Sequence, residues 1–207
     1  MPLVRGHFPV TYPHWKISGG LANVAEPNLP ARTNLEYLGF GNLSDLAIGA
    51  TGVSLSVPVP VEYGDIITKI SVMAGATAEA TGTHSFMALY AGTGASPALM
   101  AQTADDTGAA AIAASTVYTR SLSTPQLITP ANAPNGFVYV TINVTAGTVP
   151  TLVGCAPAAA AYTLAAFNAG NAPRFLSATH DSAAGATAPA TMGTQTVVAK
   201  AFAAWLT

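Results

Sequence analysis

Few residues in this chain could do chemistry. His180-Asp181-Ser182 places the three residue types of acyl-transfer catalysis side by side. Such catalysis needs a hydroxyl within reach of a base and a carboxylate behind that base. Three consecutive loop residues are not expected to fold back into a triad, and no Gly-x-Ser-x-Gly accompanies them. Asp105-Asp106 is a second candidate. Glycoside hydrolysis needs two acids facing each other across a cleft, whereas adjacent acids in a turn usually accept backbone hydrogen bonds. Nothing in the sequence pairs either with Glu62, Glu79 or Asp181. The histidines His7, His14, His84 and His180 show no metal-ligand spacing. Asp65, Asp105 and Asp106 could offer oxygens to Ca²⁺, but they lack a Gly-spaced acidic loop. Gly92-Thr93-Gly94 and Gly39-Phe40-Gly41 are followed by no Lys and helix, so neither is a phosphate cradle. Cys155 lies in the apolar run Leu152–Ala156 and reads as a small buried hydrophobe. No catalytic, cofactor-binding or metal residue is therefore expected, and the chain is not read as an enzyme.

Aromatic side chains leave one binding chemistry open. Tyr90, Tyr118, Tyr139 and Tyr162, with Trp15 and Trp205, could stack on sugar rings. Tyr118, Tyr139 and Trp205 fall in strand-like runs, where cross-strand packing is their ordinary role.

The surface that would carry any site is nearly uncharged. Only 8% of the 207 residues are Asp, Glu, Lys or Arg, and 50% are hydrophobic. A free cytosolic domain carries about a quarter of its residues as charges. Small neutral side chains or other protein must cover most of this surface, which points to a part in an assembly. The formal net charge is −2 and no basic stripe exists, so nucleic acid is not an expected partner. No amphipathic basic segment or long apolar span points to a membrane. Met1–Pro9 lacks the apolar core of a signal peptide.

Composition shifts near residue 50. Residues 1–50 hold three of the seven basic groups, three of the nine acidic groups and five prolines. Tyr12, Trp15, Tyr37, Phe8 and Phe40 also fall there, and they argue for an ordered docking arm over a disordered tail. A helical turn is expected at Asn42–Ile48, closed by Gly49. Residues 51–207 read as a separate domain of short strands. Val53 to Val61 alternates branched apolar residues with Ser and Pro, the pattern of a half-buried strand at an edge or paired on one side. Ile66–Val72, His84–Tyr90, Leu99–Thr103, Thr116–Leu122, Phe137–Val144, Thr151–Cys155 and Tyr162–Phe167 follow. Thr196–Leu206 is apolar on both faces and reads as one covered strand. The Ala-rich segments 109–114 and 156–161 read as loops, and 178–193 as a long surface loop. The expected fold is all-β: an antiparallel two-sheet β-sandwich, jelly-roll-like, with an irregular N-terminal arm.

The order Val57-Pro-Val-Pro-Val, Asp65-Ile-Ile-Thr-Lys-Ile-Ser-Val, Ser85-Phe-Met-Ala-Leu-Tyr-Ala, Leu99-Met-Ala-Gln-Thr-Ala-Asp, Gly136-Phe-Val-Tyr-Val-Thr-Ile-Asn-Val and Thr148-Val-Pro-Thr-Leu-Val-Gly resembles β-sandwich virion proteins of tailed bacteriophages infecting actinobacteria. The resemblance spans about residues 50–207 and leaves the arm unplaced. It implies a non-enzymatic structural protein of the minor tail, tail-tip or fibre kind. A head-decoration protein that stabilises the capsid is the alternative, and a carbohydrate- or receptor-binding module a second one. Expected partners are other tail or capsid subunits and copies of the same chain, with a trimer as the cyclic form. A host-surface glycan is the non-protein partner to test. The place is the virion, after synthesis in the host cytoplasm. Deleting residues 1–49 is expected to leave a folded sandwich.

Overall fold

The computed structural model describes residues 32–34, 43–92, 96–106, 112–156, 176–182 and 185–207. Among them the chain is all-β, without a helix. The strands are β1 (Arg32–Thr33), β2 (Ser44–Ala47), β3 (Ser54–Pro60), β4 (Ile66–Met73), β5 (Ala80–Ala91), β6 (Ala98–Gln102), β7 (Val117–Leu127), β8 (Phe137–Thr148), β9 (Thr151–Cys155), β10 (Ala178–His180), β11 (Thr196–Val197), β12 (Ala201–Phe202) and β13 (Ala204–Leu206). They form antiparallel sheets ordered β1-β13-β4-β7, β11-β10-β3-β8-β5-β6 and β12-β9-β2. The strand expected at Tyr162–Phe167, segments 1–31 and 157–161, and half of 109–114 lie outside the described residues.

Branched and apolar side chains of all three sheets meet in one core. Leu55, Val57 and Val59 of β3 and Val138, Val140 and Ile142 of β8 join Ile70 and Val72 of β4, Leu152 of β9, Phe202 of β12 and Leu206 of β13. Burying such side chains contributes about 1.5–3 kcal/mol each, so this cluster is the main source of cohesion.

Several expectations change here. β3 is buried on both faces rather than half-buried. Ser54, Leu55 and Ser56 pair with β10, the last two with β8 as well, while Pro58 and Pro60 pair with β8 alone. The missing proline N–H groups thus fall where no second neighbour needs them. In β4 the register shifts between Ile67 and Lys69. Residues 122–125 of β7 face Thr68 alone there, and Thr68 N and Lys69 N both donate to Thr207 O. Across this irregularity Ile67 is buried with Ile70 while Ile66 is left 50% exposed. A simple period of two had put Ile66, Ile70 and Val72 on one face.

The segment 196–206 is not one strand. It contributes β11, β12 and β13 to three different sheets. The break between β12 and β13 is completed from far away in sequence. Asn34, buried between them, donates from Nδ2 to Phe202 O at 2.8 Å and accepts from Ala204 N at Oδ1 at 2.9 Å. Ala203 N donates to Val153 O at 2.9 Å.

Two strands also cross the composition boundary at residue 50. β1 pairs with β13. Where a helical turn was expected at 42–48, β2 pairs with β9, because Leu46 is buried there and Asp45 Oδ1 accepts from Ala76 N at 3.0 Å. Arg32 forks onto Asp65 through Nε and Nη2 at 2.6 and 2.8 Å and reaches Glu62 at 2.8 Å. The arm thus grips the turn between β3 and β4.

Segment 178–193 is not a free loop either. β10 joins the sheet edge formed by β3. The described residues 185–193 then reach the far edge at β6, where Leu99 N donates to Ala190 O at 2.9 Å and Met192 N to Pro97 O at 2.8 Å. Ala188 and Met192 pack with Phe86, Ala88, Tyr90 and Tyr139 on the sheet face away from the main core. This strap explains why β3, β5 and β8 are buried on both sides.

Candidate functional site

The most ordered set of polar groups lies beneath the start of that strap. His180 ends β10 and is buried at 4% exposure. Its Nε2 is 2.6 Å from Ser56 Oγ on β3, and Ser56 Oγ is 2.5 Å from Thr141 Oγ1 on β8. On the other side, His180 Nδ1 is 2.6 Å from Asp181 Oδ2. The cross-strand register produces this row, since Ser56 pairs with both Thr141 and Ala178. Asp181 turns back onto its neighbour because its backbone is left-handed, with φ at 45°. That conformation costs a non-glycine residue about 1–2 kcal/mol. It is held by Gly193 N, which donates to the Asp181 carboxylate at 3.2 Å. A Cβ at Gly193 would lie 2.3 Å from Asp181 Oδ1, so only glycine allows this approach.

His180 and Asp181 hydrogen-bond although adjacent, but the three consecutive residues His180-Asp181-Ser182 form no triad among themselves. The hydroxyl in line is Ser56, 124 residues away, and not Ser182. The order carboxylate, imidazole, hydroxyl matches the relay of acyl-transfer sites. Acyl transfer also needs an access path and N–H donors free to hold an oxyanion. Ser56 and Thr141 are 0% and 1% exposed, and Ser56 sits mid-strand with partners on both sides. As folded, the row ties three strands and holds no substrate. The Tyr90 ring meets the imidazole edge-on at 6.0 Å and closes the remaining side. Burial pulls the imidazole below its ordinary value, against the opposing pull of Asp181.

No family model, curated protein or solved structure matches the chain. The site is read from its own geometry.

A second cluster surrounds Asp105-Asp106. Asp105 Oδ1 accepts from Ser85 N at 2.9 Å, the backbone role expected for a turn acid, and its Oδ2 is 2.8 Å from His84 Nδ1. Asp106 Oδ2 accepts from Tyr118 OH and Arg120 Nε, both at 2.6 Å. The Arg120 guanidinium also stacks 4.3 Å from the Tyr118 ring centre. Glu79 lies near both acids at 2% exposure, and neither of its oxygens closes a hydrogen bond of normal geometry. Burial pushes its carboxyl above the ordinary value; the Ser85 hydroxyl and the Ile112 backbone oppose this, while Asp106 and Asp105 add to it. Among the described residues no three His, Cys, Asp or Glu side chains could hold a metal ion.

The remaining candidates are scattered. Asp65 is taken up by Arg32. Cys155 is buried, and burial pushes its thiol up. Tyr90, Tyr118 and Tyr139 are buried and present no open stacking platform, and Trp205 is half-buried within β13. Gly92 lies at a turn with positive φ. His7, His14, Trp15, Gly39–Gly41 and Tyr162 lie outside the described residues. Sequence reasoning missed Ser56 and Thr141. The available signal was the Ser54, Ser56 alternation, which looked like a solvent face until a covering segment was found.

Proposed function

We propose that the chain is a non-enzymatic structural protein of a tailed-bacteriophage virion, of the minor tail, tail-tip or fibre kind. In this reading the sheets form a two-layer, jelly-roll-like sandwich that assembles with other virion subunits and with its own copies. The observation that carries it is the outer face of the β4–β7 ribbon. Ile66 pairs directly with Leu127, and Met73 with Val117. These side chains are 50%, 52%, 38% and 61% exposed, and Tyr63 beside the ribbon is 53% exposed. The two pairs stand at opposite ends of the ribbon, with Lys69, Ser71, Thr119 and Ser121 on the ladder between them, so the face offers two apolar contact points on a largely neutral surface. The low charge of the chain removes the repulsion that ordinarily keeps such faces apart. The resemblance of residues 50–207 to phage virion domains supports the setting.

Electron microscopy of particles labelled at Thr207 tests the location. Label on tails is the expected result. Label on heads would move the assignment to a decoration protein, and particles without label would remove the virion reading. Sedimentation of the wild type against Val117→Glu and Leu127→Glu tests self-association. Loss of oligomers in the variants is expected, and a wild type that stays monomeric would overturn this role for the face.

A further inference from the structure

The row Asp181–His180–Ser56–Thr141 can hold its hydrogen bonds in one direction only while the imidazole is neutral. Nδ1–H then donates to Asp181, Nε2 accepts from the Ser56 hydroxyl, and Ser56 Oγ accepts from the Thr141 hydroxyl. Every group has a partner. A second proton on the ring would sit on Nε2 and donate to Ser56 Oγ. The Ser56 hydroxyl would have to turn toward Thr141, and the Thr141 proton would be turned out. Thr141 Oγ1 makes no second hydrogen bond among the described residues, and it is 1% exposed. Charging His180 thus buries a cation and strands a donor, each of which is unfavourable in a sealed site.

The strap depends on the same spot. It leaves β10 at Asp181 and returns to Asp181 through Gly193 N. Between them Tyr90 OH donates to Pro189 O at 2.9 Å, and Ala188 N donates to Gln102 Oε1 at 2.7 Å. Beneath it lie Phe86, Ala88, Tyr90 and Tyr139. The titratable groups facing His180 are Asp181 from its own segment and Tyr90 from β5; β3 and β8 contribute only the hydroxyls of Ser56 and Thr141. Tyr90 stays neutral through mildly acidic conditions because burial pushes its phenol well up. Asp181 favours the imidazolium and keeps its bond to Nδ1–H in either state, so the mismatch falls on the Ser56–Thr141 side of the ring.

We propose that His180 is an acid-released latch: its protonation frees the strap at residues 185–193 and uncovers the apolar sheet face made by Phe86, Ala88, Tyr90 and Tyr139. The device belongs to the fold and does not depend on the virion reading. It resembles other histidine switches in using the one side chain whose charge changes in mild acid.

The test uses the full chain. Amide hydrogen exchange of residues 185–193 and binding of an apolar dye are followed from about pH 7.5 to about pH 5. The opening equilibrium should rise by up to about tenfold per pH unit below the ordinary histidine value. His180→Gln should abolish that slope. Imidazole NMR of the wild type covers the case of a variant that does not fold, and it should show His180 titrating below a free histidine peptide. Flat strap exchange in the wild type, an unchanged slope in His180→Gln, or a His180 midpoint at or above that of the peptide would each overturn the latch.

Discussion

Asn34→Ala is the sharpest test of whether the N-terminal region belongs to the folded unit. The amide bridges Phe202 O and Ala204 N, both at the step where the chain passes from one sheet to another. Asn34 is 2% exposed, and Phe202 and Ala204 are both 0% exposed. Truncation removes two hydrogen bonds, each contributing about 1 kcal/mol net, and leaves a carbonyl and an N–H without partners. Leaving buried partners unpaired costs about 1–3 kcal/mol per group, so a total loss of about 2–6 kcal/mol is expected for the two. Asn34→Asp separates the two contacts. The carboxylate can still accept from Ala204 N, but it cannot donate to Phe202 O and it brings a charge into the core. It should destabilise at least as much as Ala. The assay is urea denaturation of the full chain, comparing midpoints at constant slope. A loss below about 0.5 kcal/mol for both variants, the range of an ordinary surface change, would refute the reasoning and place residue 34 outside the core.

Deleting residues 1–49 should likewise destabilise the remainder, because it removes β1, β2 and the Arg32–Asp65 pair; a truncated chain with an unchanged urea midpoint would restore the boundary at residue 50. Gly154→Ala should cost at least about 1–3 kcal/mol by overpacking, since a Cβ there would lie 2.2 Å from Ala201 O and 2.7 Å from Phe202 Cα; thermal melting against Gly185→Ala, which meets nothing, checks it. Glu79 sets a pH dependence opposite in sign to that of His180. Its folded-state value lies above the ordinary 4.5, so the folded protein holds this proton more tightly. The stabilisation is complete below about pH 4.5 and is lost as pH rises through the folded value. Glu79→Gln should remove that loss, and a urea-midpoint difference between variant and wild type that does not grow with pH would count against it.

Much of the strand content was legible because it rests on local pattern. Val138, Val140, Ile142 and Val144 alternate without interruption, and β8 follows them. β6 and β9 also lie where short apolar runs end at turn residues. The period of two fails where the ladder is irregular, as at Ile67–Lys69, because such an irregularity leaves no mark in composition. It fails again at 196–206, where one apolar run serves three sheets. The groups that end each piece, Asn34 and Val153, come from elsewhere in the chain.

The candidate site was half visible. His180-Asp181 could be picked out by residue type, yet nothing local pointed to Ser56 as the hydroxyl beside them. Whether neighbours can bond depends on a backbone angle, and the left-handed turn at Asp181 is fixed by Gly193 and not by the dipeptide itself. By itself the sequence determined the scarcity of charge, the all-β character and the inventory of reactive groups, since these depend on composition and near neighbours. Tertiary structure alone decided that Ser56 and Thr141 complete the histidine row, that the strap seals it, and that residues 32–34 finish the core. Those outcomes depend on strand pairing between distant segments, which no local pattern encodes.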